Sequence, residues 1–170
     1  MLESVDLLLL ELKTLRAIGP HFKILHYYRQ VGSDCLPGEE VAAVHFIFRG
    51  REFFVRLGGA LLLLFDYLAR HSRLPQTASQ IALRIQGDAF CQKHGANAGD
   101  GVRLVRKINR SSVKVYIERL RVALGQAFHD ARVPLDPYAV LVSEEMSSNQ
   151  VGYQLKATFE WIHVEHPGRV

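Results

Sequence analysis

The chain has 170 residues, of which 48% are hydrophobic and 22% are charged. This composition is typical of a globular domain with a buried core, and it excludes collagen-like, coiled-coil and disordered proteins. The length suits one domain with an appendage rather than two full domains, and the net charge of +4 is too small to identify a partner by itself.

The sequence predicts no membrane segment and no export signal. The longest apolar runs, 7–10 and 60–65, are far shorter than the roughly 20 residues of a membrane-spanning helix. The first six residues carry acidic side chains where a secretion signal has basic ones. We therefore expect a cytoplasmic protein that does not bind membranes, with Cys35 and Cys91 both reduced.

The N-terminal segment predicts a helix from Ser4 to Ala17, with Ser4 as its cap and Gly19-Pro20 as its end. Its apolar residues recur at helical spacing and form a leucine stripe: Val5, Leu8, Leu9, Leu12 and Leu15. This stripe predicts an interface, and the pattern leaves open whether it forms a homodimer or docks onto the rest of the chain. The segment 21–30 fits either a strand or a short helix. Turn residues between 31 and 40 predict a boundary between a helical extension, 1–38, and a main domain, 39–170.

The next elements alternate between strands and helices. The stretches 41–48 and 52–57 are β-branched and aromatic and predict a hairpin. Gly58-Gly59 then opens an apolar helix that reaches about Arg70, and Thr77 caps a short helix that carries Ile81 and Ile85. The polar, glycine-rich stretch 86–109 predicts a long loop.

The last third of the chain predicts a helix followed by a second hairpin. Ser111 or Ser112 is the expected cap of the helix, and Gly125 is its expected end, although the pattern could continue to 128. The expected core residues of this helix follow helical spacing: Val113, Ile117, Leu120 and Leu124. The stretches 138–143 and 150–156 predict the two strands of the hairpin, which flank the polar tip 144–149.

Positive charge is concentrated around this helix. Between Gly101 and Gly125 the only acidic residue is Glu118. The basic residues there are Arg103, Arg106, Lys107, Arg110, Lys114, Arg119 and Arg121. A cationic block on an otherwise slightly acidic chain favours a polyanion such as nucleic acid, although a solvated helix surface has the same composition.

Two motifs in this region resemble a known family. Residues 112–125 read SVKVYIERLRVALG, and residues 151–155 read VGYQL. The first resembles the recognition helix of OmpR/PhoB-type winged-helix regulators, with the pattern V-x-V-x-I-x-R-L-R-x-x-L, and the second is similar to the G-Y-x-L strand that closes their wing. The resemblance spans about 41–155. It implies an α+β fold: a winged helix-turn-helix with an N-terminal β-hairpin and a C-terminal wing hairpin, here preceded by the helical extension.

The chain departs from this family at its wing and at its N-terminus. Where the family's wing usually carries an arginine for the minor groove, the tip here carries Glu144 and Glu145 and no base. The segment before Val41 is also too short for the receiver domain of a two-component regulator. We therefore expect the wing to point away from DNA or toward a protein partner.

The resemblance and the helix pattern together give candidate DNA contacts. Arg119 matches the family's base-contacting arginine, and an arginine can read guanine with two hydrogen bonds. The other expected contacts are Arg110, Ser111, Ser112, Lys114, Tyr116 and Arg121, with Arg110 and Arg121 placed for phosphates. Glu118 is expected either to read cytosine or to pair with Lys114.

The sequence favours a sequence-specific transcription regulator that binds double-stranded DNA. The alternative is a winged-helix protein-interaction module that binds or antagonises part of a transcription complex. A third hypothesis is a small-molecule sensor with a pocket lined by the segment 22–28. Cys91-x-x-His94 and His163-x-x-His166 are each half of a zinc site and do not predict a metal. No catalytic motif can be assembled, so we expect neither an enzyme nor a cofactor.

Overall fold

The computed structural model describes residues 2–28, 39–85, 110–147 and 149–164. Several predictions fall on other parts of the chain. The long loop 86–109 lies outside the described residues, as do both cysteines, the bases before Arg110, and His94 and His166 of the two half zinc sites.

The described residues form an α+β protein, as the sequence predicted. The elements in chain order are α1 (Leu2–Ile18), β1 (His21–Tyr28), β2 (Glu39–Phe48), β3 (Arg51–Val55), α2 (Gly59–Arg70), β4 (Gln76–Thr77), α3 (78–85), α4 (Arg110–Asp130), α5 (Pro137–Val140), β5 (Leu141–Glu145), β6 (Val151–Leu155) and β7 (Thr158–Val164).

The larger sheet has four strands in the order β3-β2-β1-β7. The predicted hairpin is present as β2 and β3, and the undecided segment after α1 is a strand, β1, which pairs antiparallel with β2 along its whole length. The C-terminal strand β7 lies parallel to β1 on its other side. The predicted boundary at residue 38 is therefore wrong, because the backbone hydrogen bonds of β1 tie residues 21–28 to the main domain.

The smaller sheet has three strands in the order β4-β6-β5, and β5 and β6 form the second predicted hairpin. The first strand of this hairpin, β5, begins later than predicted, because residues 137–140 form the short helix α5. The Asp136 side chain accepts a hydrogen bond from the Tyr138 backbone N–H at 2.9 Å, and Pro137 occupies the first helical position. Asp followed by Pro is a helix-start signal that the strand prediction overlooked.

The core lies between the larger sheet and the helices α2 and α4. Four phenylalanines at its centre meet edge to face: the ring centroids of Phe22 and Phe65 are 5.1 Å apart, and those of Phe46 and Phe128 are 5.0 Å apart. Phe22 and Ile24 of β1 are fully buried in this cluster. Because these two side chains fill the core, they do not line the small-molecule pocket suggested for 22–28.

The helix α1 begins at Leu2, so Ser4 lies inside it and is not its cap. Leu15 packs against the core, and Arg49 in the turn between β2 and β3 donates hydrogen bonds to the Glu11 carboxylate. Leu8 and Leu9 are nevertheless exposed. Of the two interfaces that the sequence left open, docking onto the described part of the domain therefore applies to Leu15 and not to the N-terminal half of the stripe.

The helix α3 begins where the sequence predicted, and its cap is reciprocal. The Gln80 backbone N–H donates to the Thr77 hydroxyl at 3.2 Å, while the Thr77 backbone N–H donates to the Gln80 side-chain oxygen at 2.9 Å. Such a pair of bonds satisfies two backbone groups at a helix start. It fixes where α3 begins relative to β4.

Candidate nucleic-acid interface

The helix α4 is anchored in the core along one face. Its four predicted core residues are all buried: Val113, Ile117, Leu120 and Leu124. The helix begins at Arg110, so Ser111 and Ser112 lie in its first turn and neither is the cap. It also passes through Gly125 and ends at Asp130. There Arg132 takes a positive φ of 57°, and the Val133 N–H bonds the Phe128 carbonyl at 2.9 Å, which is a Schellman-type helix end.

The opposite face of α4 projects into solvent. Its exposed residues up to Val122 are Ser111, Lys114, Val115, Arg119 and Val122. The face is partly apolar, because Val115 and Val122 lie on it with 50% and 73% of their surfaces exposed. Tyr116 is half-buried beside it, with the Arg119 guanidinium carbon 5.7 Å from the Tyr116 ring centroid. Ser112 is also half-buried, and the Arg110 side chain lies outside the described residues.

Arg121 does not belong to this exposed face. It is 5% exposed, and its guanidinium donates two hydrogen bonds to the Leu141 carbonyl oxygen, at 3.0 and 2.8 Å, and one to the Ser143 hydroxyl at 2.7 Å. The prediction that Arg121 contacts phosphate is therefore wrong. The Leu141 carbonyl and the Ser143 hydroxyl, both in β5, hold the arginine side chain against the hairpin.

Glu118 is bonded in a way the sequence did not predict. Its carboxylate accepts a hydrogen bond from Arg121 at 2.6 Å and another from the Tyr138 hydroxyl at 2.7 Å. The Tyr138 hydrogen bond, followed by that from Arg121, lowers the pKa of the Glu118 carboxyl. Lys114 contributes only a longer-range attraction, so the predicted pair of Glu118 with Lys114 is not the main contact.

A cleft separates α4 from the start of α3 and the hairpin. Its volume is about 580 Å³. The lining residues are Thr77, Ala78, Ser79, Ser111, Lys114, Asn149, Gln150, Val151 and Tyr153. The cleft brings the first turns of two helices next to the hairpin tip. Lys114 is the only basic side chain among these lining residues.

The two acidic residues of the predicted hairpin tip, Glu144 and Glu145, are the last two residues of β5 and not part of the turn. Glu144 lies 3.4 Å from the Lys156 ammonium, and Glu145 is exposed. Next to this tip, β6 packs closely at Gly152, where an added Cβ would lie 2.6 Å from Pro75 and 2.9 Å from the Met146 sulfur. The glycine of the G-Y-x-L motif thus permits β6 to approach the turn before β4.

A buried polar cluster on the other side of the molecule was not predicted. The fully buried His26 places Nε2 3.1 Å from Asp66, and the same carboxylate accepts bonds from Arg70 at 2.9 Å and from the Trp161 indole at 3.1 Å. Burial alone would raise the Asp66 pKa, but the bonds from His26, Arg70 and Trp161 outweigh it and lower that pKa.

This cluster joins β1, α2 and β7 and lies apart from the exposed face of α4. One sequence signal could have indicated it, because His26 continues the alternation of Phe22 and Ile24 and so falls on the inward face of β1. Phe159 and Trp161 pack against the core of the domain. The strand that carries them, β7, was not predicted.

Comparison with protein-family models gives no match, and neither does comparison with curated proteins. Within the described residues, no group of three or more His, Cys, Asp or Glu side chains is arranged to hold a metal ion. None of the described helices is long and apolar enough to cross a membrane.

Proposed function

We propose that the protein is a sequence-specific DNA-binding transcription regulator of the winged helix-turn-helix type, with α4 as the helix that enters the major groove. The observation that carries this proposal is the two-sided character of α4. One face is fixed in the core, and the other presents Lys114, Arg119 and two valines to solvent. A rigidly held, exposed helix of this kind fits the width of the major groove of B-DNA.

The connectivity around α4 supports this assignment. The chain passes through α2, β4, α3, α4 and then the hairpin β5–β6, and β4 pairs with β6 at the edge of the smaller sheet. A helix pair followed by a β-ribbon is the arrangement implied by the resemblance of 112–125 and 151–155 to OmpR/PhoB-type domains. The cap at Thr77 fixes the start of α3, and the hydrogen bonds of Arg121 hold α4 against β5.

The exposed face of α4 offers three kinds of contact with DNA. Arg119 can donate two hydrogen bonds to a guanine, and Lys114, which lines the cleft, can meet a backbone phosphate. Val115 and Val122 can contact thymine methyl groups, which are the apolar features of the major groove. Compared with the DNA contacts expected from the sequence, the proposed contacts include these two valines and leave out Arg121.

The proposal is tested by selecting binding sites from a pool of random duplexes and titrating the best site by fluorescence polarisation at several salt concentrations. We expect a preferred sequence and an affinity that falls as salt rises. Lys114→Ala should flatten the salt dependence by about one unit of slope without changing the preferred sequence. The matched control is Lys156→Ala, an exposed lysine that pairs with Glu144 at the hairpin. Binding without any sequence preference would contradict the proposal.

A second candidate function is a protein-interaction module that acts on a transcription complex. It is favoured by the exposed Val115 and Val122 and by the acidic hairpin tip, because an apolar patch rimmed by polar residues is typical of a protein-binding surface. The same titration separates the two functions. The interaction module becomes the better account if no DNA binding is detected even at low salt, where electrostatic attraction is strongest.

A further inference from the structure

The N-terminal half of α1 is left uncovered by the rest of the described chain. Every residue from Val5 to Leu10 is exposed, and Leu9 has 50% of its surface accessible. The four consecutive leucines 7–10 point in different directions around the helix, because successive residues turn by about 100°. Consecutive exposed leucines on a helix are normally buried against another surface, and none of the described residues covers this half of α1.

One face of α1 has the spacing of a helix–helix seam. Val5, Leu9 and Leu12 follow each other at intervals of four and three residues, which is the heptad pattern by which two helices pack along their length. Val5 and Leu9 are exposed, and Leu12 is half-buried. The helix is held to its own domain on another side, through Glu11 and Leu15, which leaves this seam accessible.

Two opposite charges beside the seam, Asp6 and Lys13, can pair with each other between two copies of α1. Asp6 and Lys13 are seven residues apart, about two helical turns, so they flank the seam on the same side. Neither has an ion pair with another described residue of the chain. A two-fold axis between Leu9 and Leu10 would place Asp6 of one copy beside Lys13 of the other, and would do so twice, because both residues lie at the same sequence distance from the axis.

We propose that α1 pairs with α1 of a second copy of this chain in an antiparallel helix dimer centred between Leu9 and Leu10. The partner is a second copy because the apolar seam and the opposite charges Asp6 and Lys13 all lie on one helix, and a two-fold interface uses the same surface of both copies. In a parallel pair, Asp6 and Lys13 of one copy would lie on the opposite side of the seam from those of the other copy, so neither charge pair would form. The dimer does not depend on the proposed DNA-binding function, since its residues lie outside α4.

The test is a charge exchange followed by light scattering on the full chain over a range of concentrations. Wild type should approach twice the 19.2 kDa mass of one chain. Asp6→Lys alone and Lys13→Asp alone should each weaken the dimer roughly tenfold, because two attractive pairs become repulsive. The double variant Asp6→Lys with Lys13→Asp should restore wild-type dimerisation, since both pairs are re-formed with the charges exchanged.

Two further variants separate the seam from the rest of the helix. Leu9→Asp should yield monomers, whereas Leu7→Asp, on the side of the helix opposite the seam, should leave the mass unchanged. A wild-type protein that remains a single chain at about 100 μM, where a dimer with a Kd of about 1 μM would be mostly formed, would overturn the proposal. A double charge exchange that fails to restore the dimer would overturn the antiparallel arrangement.

Discussion

Arg121 of α4 donates two hydrogen bonds to a single acceptor, the backbone carbonyl oxygen of Leu141. Leu141 is the first residue of β5, so this fork ties the middle of the proposed recognition helix to the start of the hairpin. The same guanidinium also lies 4.4 Å from the centroid of the Tyr138 ring. A cation with this many contacts inside the protein positions two elements and is unavailable to DNA.

The first prediction is that Arg121→Ala destabilises the fold. The change removes both hydrogen bonds from the Arg121 side chain to the Leu141 carbonyl, and it leaves Glu118 without its ion pair. We expect the free energy of unfolding to fall by about 1 to 3 kcal/mol, the usual cost of an unsatisfied buried polar group. Urea denaturation measures the change.

Lys114→Ala is the matched control for this experiment, because Lys114 is an exposed base on the same helix. Its free energy of unfolding should stay within about 0.5 kcal/mol of wild type. If Arg121→Ala unfolds like wild type but loses DNA affinity, the structural role assigned to Arg121 is wrong and the original sequence-based prediction is restored.

The second prediction concerns acid stability and Asp66. The pKa of this carboxyl is lowered in the folded protein from its ordinary value of 3.8. Its contribution to stability is therefore fully present above pH 3.8 and declines as the pH falls from there through the folded-state pKa. Asp66→Asn should lower the free energy of unfolding by about 1 to 3 kcal/mol at neutral pH, and the gap from wild type should narrow below pH 3.8.

Denaturation of both proteins over a series of pH values measures this gap. Glu145→Gln controls for the loss of one negative charge at an exposed position, and it should change stability by less than about 0.5 kcal/mol at neutral pH. A gap between wild type and Asp66→Asn that widens in acid would have the wrong sign and would contradict the assigned role of the carboxylate.

The third prediction concerns the two exposed valines of α4. Replacing Val115 and Val122 together by Ser should leave the free energy of unfolding nearly unchanged, because neither side chain is in the core. Discrimination between thymine and other bases should weaken, by about 1 to 3 kcal/mol at the positions that these residues face. Competition titrations with single-base variants of the selected site measure this. An unchanged preference at every thymine would show that the valines face another partner.

The fourth prediction concerns the hairpin tip. Glu144→Gln combined with Glu145→Gln should strengthen DNA binding by only a few tenths of a kcal/mol, because repulsion from phosphate acts at a distance and is screened by salt. The preferred sequence should not change. An altered preference would mean that the tip reads DNA, and a loss of affinity would mean that the two glutamates make favourable contacts with a bound partner.

Local patterns predicted much of the fold. Alternating β-branched and aromatic residues located the first hairpin, and the Thr77 cap located α3. The helical repeat of Val113 and Ile117 correctly identified the buried face of α4. These features depend on a few neighbouring residues whose periodicity or capping chemistry is visible in the sequence.

Features that depend on distant residues could not be predicted in this way. The sequence placed Arg121 among the phosphate contacts, whereas its side chain is held inside the protein by the Leu141 carbonyl, 20 residues away, and by the Ser143 hydroxyl. The strand β7 is defined by its pairing with β1, whose partner residues lie more than 130 positions earlier. The Asp66 cluster likewise combines side chains from three elements.

The most direct test of the DNA-binding account is the affinity of Arg119→Ala for the selected site, compared with wild type and with Arg132→Ala, an exposed arginine beyond the end of α4. Arg119→Ala should lose about 1 to 3 kcal/mol of affinity for the preferred site, lose discrimination at one base pair, and unfold like wild type. Arg132→Ala should bind with unchanged selectivity. Unaltered affinity and selectivity in Arg119→Ala would contradict the assignment of α4 as the recognition helix.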